Sequence, residues 1–290
     1  MVRRRRALSP VISTAILTAA MLVIVIGVLG FATNLFAIQT QQAEFGQAQN
    51  ILINFADGID SVSSREGAST YVRFNLRAGG PVWVQNYDTI KVNVTIGNQT
   101  NYVIPIQGNV GAFTYRGGSQ IGTGSFTVLR GISSSAVLNN AYPLGRVYLS
   151  QSNGAIITLD YDRIGVNDLG LFNVSKSAGG GFDYIDIVQI TLVNLTRGNF
   201  SGGSTAFVEA TNYDVIINNY RINYNRSLAT VPSYNLNITV TLASRGGFED
   251  TYVLPIQVGN VFDGYTGSLQ PVDVVLVVLM PQVRVDYIGG

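Results

Sequence analysis

Hydrophobic and polar positions divide the 290-residue chain into two unequal parts. Residues 7–43 contain no Asp, Glu, Lys or Arg, and the run LSPVISTAILTAAMLVIVIGVLGFATNLFAI is apolar on every side of a helix. About 20 such residues suffice to cross a bilayer. From Gln39 the apolar positions thin to Phe45, Ala48, Ile51, Leu52, Phe55, Ile59 and Val62, spaced three or four apart as on one helical face. No proline falls between Pro10 and Pro81, so the spacing predicts one unbroken helix from Pro10 to about Val62, roughly 80 Å long. Gly46 and Gly58 are the places where it could bend. Beyond about Ser64 the period drops to two. Thr89–Ile96, Tyr184–Leu195, Phe207–Asn218 and Leu236–Leu242 read as strands separated by Gly and Asn clusters, and no helical period returns. The predicted class is α+β, with a long N-terminal hydrophobic helix followed by an all-β, sandwich-like domain.

Within that domain YVIPIQGNV at 102–110 echoes YVLPIQVGNV at 252–261, and each follows a strand with an NVT or TVT core. The offset near 150 residues predicts a duplicated β unit, about 86–119 and 233–269. Pro105 and Pro255 then belong at strand ends or sheet edges, because proline donates no ladder hydrogen bond. The run PVDVVLVVLMPQVRVDYIGG holds eight residues, Val272–Leu279, of which only Asp273 is polar. Such a strand needs cover on both faces. A central strand of its own domain is the plain reading, and donation into a neighbouring subunit is the sharper one.

Composition narrows the chemistry. There is no Cys and no His, so disulfides, thiolate nucleophiles and imidazole acid/base dyads are excluded. No metal site and no cofactor are expected, and no pair of carboxylates is singled out by spacing for hydrolysis. The chain does not read as an enzyme. Charged residues are 12% of the total where about 25% is usual, and the formal net charge of +1 leaves no footprint for nucleic acid. Asn, Ser, Thr, Gly and Gln must solvate the surface instead, which suits an extracellular setting. Seven Asn-x-Ser/Thr sequons occur, at Asn93, Asn98, Asn173, Asn194, Asn199, Asn225 and Asn237, where chance placement of 24 Asn and 42 Ser or Thr would give about 3.5. They are candidate N-glycosylation sites. Asp160, Asp162, Gly165 and Asp168 have the outline of a calcium loop, but Ile164 stands where an oxygen ligand is needed, so solvated turn carboxylates are the plainer reading. The GGSQIGTGS and SAGGG stretches lack the Lys of a phosphate loop and read as turns.

Arg3, Arg4, Arg5 and Arg6 precede the apolar run and hold that end on the cytoplasmic side, which places everything after Ile38 outside. The apolar stretch runs well past the 7–15 residues of a secretory signal core, and Leu35, Phe36 and Ala37 make a poor cleavage site. The start MVRRRRALSPVISTAILTAA resembles archaeal type IV prepilins, in which a peptidase cuts between a short basic leader and a hydrophobic helix. The resemblance covers about the first 60 residues. It implies a leader over 1–7, a cut between Ala7 and Leu8, a helix over 8–64 and an exterior β domain over 65–290. Ile12 stands where bacterial pilins carry a glutamate, and SPVIST replaces the GIGT-like run of archaeal flagellar subunits. These departures favour a pilus or adhesion fibre, and the size is similar to the adhesion-fibre subunits of Ignicoccus-type hyperthermophiles. Cleavage takes the formal charge from +1 to −3, with 14 basic and 17 acidic side chains left.

The expected function is a structural subunit of an adhesive extracellular filament. It is membrane-inserted as a precursor and self-assembles into a homopolymer by bundling its helices. Ile12, Ile16, Ala19, Val23, Ile26, Gly27, Gly30, Phe31, Phe45, Leu52 and Phe55 are the residues expected in the filament core. Ala15 and Ala19, and Gly27 and Gly30, offer the small-residue surfaces that apolar helices use to approach closely. A prepilin peptidase and an assembly ATPase with its membrane platform are the implied partners, since the chain has no GxxxxGKS or GxxxxGKT phosphate loop of its own. The alternative is a binding module of the cell envelope that keeps residues 1–38 as a permanent anchor.

Overall fold

A computed structural model describes residues 8–75, 79–96, 99–104, 109–118, 121–122, 124, 126–139, 143–152, 154–175, 182–200, 205–222, 233–243, 247–257 and 272–289. Arg3, Arg4, Arg5, Arg6, Ala7, Asn98, Asn225, Pro105 and the SAGGG stretch lie outside the described residues.

A single helix, α1 (Leu8–Ser63), precedes the β domain. Its 56 residues make a rod of about 84 Å. It runs through Gly46 and Gly58 without interruption. Gly58 serves packing, since a Cβ there would sit 2.5 Å from Oγ1 of Thr70.

The strands form two sheets. The first has the order β1 (Ser69–Asn75), β12 (Thr205–Ile222), β15 (Val272–Gly289), β10 (Phe182–Thr191), β9 (Ile164–Ser175) and β6 (Val137–Asn139), with β11 (Asn194–Phe200) also paired to β15. The second has the order β14 (Phe248–Gln257), β13 (Ser233–Leu242), β2 (Gly80–Ile96), β4 (Asn109–Arg116), β8 (Ala155–Asp160), β7 (Arg146–Gln151) and β5 (Thr127–Arg130), with β3 (Gln99–Ile104) on β2. Alternate residues of each, such as Val274, Leu276 and Val278 of β15 and Leu236, Ile238 and Val240 of β13, enter one shared core. The chain is thus α+β, one long apolar helix followed by a largely β domain.

Two expectations are corrected in the first sheet. Tyr184–Leu195 is two strands, because the ladder breaks at Leu192–Val193, and both of these side chains turn into the core. The C-terminal strand does not end with the apolar run at Leu279 but continues through Pro281 to Gly289. Proline is tolerated in this central strand because its missing N–H falls where β15 changes neighbour: β10 ends opposite Leu279, and β11 resumes opposite Gln282. The strand pairs within its own domain, parallel to β10 and antiparallel to β12.

The echoing segments fold as two neighbouring hairpins of one sheet. Val94 lies opposite Tyr102 in the first, and Ile238 opposite Tyr252 in the second. The hairpins join through Val94 opposite Ile238, so equivalent residues face each other across a local two-fold axis. Pro255 lies in β14, the edge strand. Residues 105–108 of the first echo and 258–261 of the second lie outside the described residues.

Candidate functional site

The feature most suited to function is α1, whose two halves meet different surroundings. Among residues 11–36 every side chain but Ala32 is exposed, with Val23 at 70% and Phe31 at 69%. Ile12, Ile16, Ala19 and Ile26 share that exposure, and Gly27 and Gly30 have open space where a Cβ would stand. Three threonines in this half satisfy their own hydroxyls. The hydroxyls of Thr14, Thr18 and Thr33 donate to the carbonyls of Val11, Thr14 and Gly30 at 3.0, 2.9 and 2.9 Å. A threonine that bonds back to its own helix costs little in a dry environment. By length and composition this helix is able to cross a membrane.

The second half is seated in the chain's own β domain. Phe45, Leu52 and Phe55, expected to face other helices, are instead buried here at 4%, 0% and 0% exposure. A helical period of 3.6 reports that a face is covered, not which molecule covers it. Phe55 meets Phe113 edge-on at 5.7 Å between ring centroids, and Phe74 stacks on Tyr115 at 5.7 Å. The outward face of this half is Gln42, Gln47, Asn50, Asn54, Asp57 and Ser61. The apolar surface open to a partner therefore ends near Phe36.

Three polar devices fix the rod to the domain. The Arg130 guanidinium donates to Asp57 at 2.8 Å and to Asp60 at 2.6 Å. The Tyr161 hydroxyl, fully buried, donates to the carbonyl of Ala56 at 3.0 Å. The side-chain amide of Asn212 donates to the carbonyls of Val62 and Ser63, both at 3.2 Å, and so satisfies acceptors that the end of a helix leaves open. None of these three residues is marked by a local sequence signal. Each reaches a partner 70 or more residues away, and only the folded topology brings them together.

No family model, no curated protein and no solved structure matches this chain.

The acidic residues outlined as a calcium loop serve another purpose. Arg146 bridges Asp160 at 2.5 Å and Asp162 at 3.2 Å, all three are buried, and Ile164 lies in the apolar core. Burial, reinforced by the Asp162 carboxylate, pushes the Asp160 carboxyl well above the usual carboxylate range, and Arg146 opposes the shift. Asp186 is pushed up to about 6, first by burial and then by the neighbouring Asp168, which accepts the Gly170 N–H at 2.8 Å. Among the described residues there is no group of three or more potential metal-binding side chains.

The sequons fall at unlike places. Asn93 on β2 and Asn237 on β13 are half-buried mid-sheet, with Asn93 opposite Thr239 and Asn237 opposite Thr95. The amide of Asn194 donates to the Gln282 side chain at 2.6 Å, and Asn173 lies in β9. Asn199 is exposed on β11.

Proposed function

We propose that this chain is the structural subunit of an extracellular type IV pilus-like filament, used for adhesion and held together by bundled N-terminal helices. The observation that carries the reading is the division of α1: residues 11–36 are apolar and uncovered, whereas residues 45–62 are locked into the chain's own domain. A rod so fixed presents its bare apolar half as a rigid unit. Before assembly a bilayer covers that half, and afterwards the same halves of other copies do.

Moving from lipid to a bundle exchanges one apolar setting for another, so the hydrophobic effect supplies little net drive and close packing must specify the polymer. Ala15, Ala19, Gly27 and Gly30 allow that approach. A cut between Ala7 and Leu8 by a prepilin peptidase removes the four arginines that hold the end in the cytoplasm. Extraction then falls to an assembly ATPase and its membrane platform. The β domain forms the sheath, and any of the sequons that carry glycans would add solvation to a surface poor in charge.

Shearing intact cells tests the polymer. The chain is expected to leave the cell as sedimentable fibres that antibodies to the β domain label along their length. Retention of the whole population in the membrane fraction would instead establish the permanent anchor.

A further inference from the structure

Two of the sequons meet in the folded sheet. Val92 and Val94 of β2 and Leu236 and Ile238 of β13 point inward and are fully buried, so the residues that alternate with them turn to the outer side. There Asn93 lies opposite Thr239, and Asn237 opposite Thr95. The tripeptides 93–95 and 237–239 thus form one square about the local two-fold axis, with the two asparagines on a diagonal about 7–8 Å apart.

The hairpin partners align the two strands without reference to the sequons, because Val94 and Ile238 each lie opposite a tyrosine. In that alignment TIKVNVTIG at 89–97 stands over SYNLNITVT at 233–241, and only the Asn and the Thr are the same in both. Every inward residue differs, as does every other outward one. What the two copies share is therefore the pair of residues that a sequon requires. Cross-strand bonding does not account for it. Oγ1 of Thr239 is hydrogen-bonded to Thr251 at 3.0 Å, and neither asparagine's amide is bonded to a described residue. Asn194 is the contrast, since its amide donates to Gln282 at 2.6 Å and its Oδ1 is buried.

We propose that Asn93 and Asn237 form a paired N-glycosylation site, both occupied in the mature chain, and that Asn194 stays bare. The inference rests on the placement of the β domain outside the cell in the reading above. The co-reactant is a sugar joined through its anomeric carbon to a phosphate ester, which the cell supplies with its transferase. Nδ2 bonds to that carbon, the bond from carbon to phosphate oxygen breaks, the phosphate leaves with the electron pair, and Nδ2 gives up one proton. The two strands lie far apart in the chain, so each sequon is presented singly before the sheet closes. In the folded sheet both sugars then stand on the outer face beside each other. A sugar on Asn194 would instead displace Gln282, which is 7% exposed.

Glycopeptide mass spectrometry of the native chain, taken from sheared fibres and from membranes, tests the pair. Sugar is expected on both Asn93 and Asn237 in most molecules and on Asn194 in none. Thr95→Val and Thr239→Val should each remove one glycan although the asparagine remains, and Thr95→Ser should keep it. Bare Asn93 or Asn237, sugar on Asn194, or occupancy unchanged by Thr95→Val would overturn the pair, and in sedimentable fibres that result would leave the filament reading standing. Both glycans on a chain found only in membranes would support the pair and overturn the filament.

Discussion

Replacing Ile24 by Asp is expected to abolish filaments while leaving the chain in the membrane. Ile24 is exposed in the middle of the apolar half of α1, where the account places neighbouring copies of the same helix. A carboxylate at the centre of a membrane helix costs about 2.5–3.5 kcal/mol on insertion scales, and lipid lets it recover part of that by drawing in water and headgroups. A close-packed bundle offers neither, and the charge recurs in every subunit along the fibre. The yield of sheared, sedimentable chain should fall below detection, with the membrane-bound amount within a few-fold of normal and Ile24→Leu unaffected. Normal filaments from Ile24→Asp would contradict helix bundling as the source of cohesion.

The largest stability effect is expected from Arg146→Met. Arg146 is the hydrogen-bonded cation of Asp160 and Asp162, both inaccessible to water, with Arg163 a looser second cation 3.9 Å from Asp162, and removing one partner of a buried ionic group typically costs about 3–5 kcal/mol because charge is left uncompensated. The pH dependence follows from the direction of the Asp160 shift. Its folded-state pKa is already raised by burial and by Asp162, and loss of Arg146 removes the larger of the two opposing interactions, leaving that of Arg163. A carboxyl whose pKa is raised on folding contributes stability that is full below its unfolded value, about 4, and is lost as pH rises through the folded one. Thermal unfolding of the full-length variant in detergent should show the larger deficit at pH 8 and a partial recovery at pH 5, and adding Asp160→Asn should restore part of the pH 8 loss. Equal deficits at both pH values would mean that the cluster is not held together by charge.

The sequence carried the outline of the fold but not its contacts. The rod is legible because 37 consecutive residues lack any formal charge and no proline falls between Pro10 and Pro81. The strands are legible where apolar and polar residues alternate, as in Leu236–Leu242. The break at Leu192–Val193 is not, since both residues are apolar and buried and the local pattern looks continuous through them. Pro281 misleads for the opposite reason: it marks a strand end by local rules, and only the change from β10 to β11 beside β15 makes room for it. Seating of Phe45, Leu52 and Phe55 in the chain's own domain was beyond the reach of periodicity, as were Arg130, Tyr161 and Asn212, whose partners are set by topology. The hydrophobic half of the candidate site was readable residue by residue. The polar joint that makes it rigid was not.

The most direct test of the central claim is the N-terminal residue of the native protein in material sheared from intact cells, read by mass spectrometry. A cleaved filament subunit begins at Leu8 and is recovered in the sedimentable filament fraction. A chain that begins at Met1 or Val2 and is found only in membranes would contradict it and leave α1 as a permanent anchor.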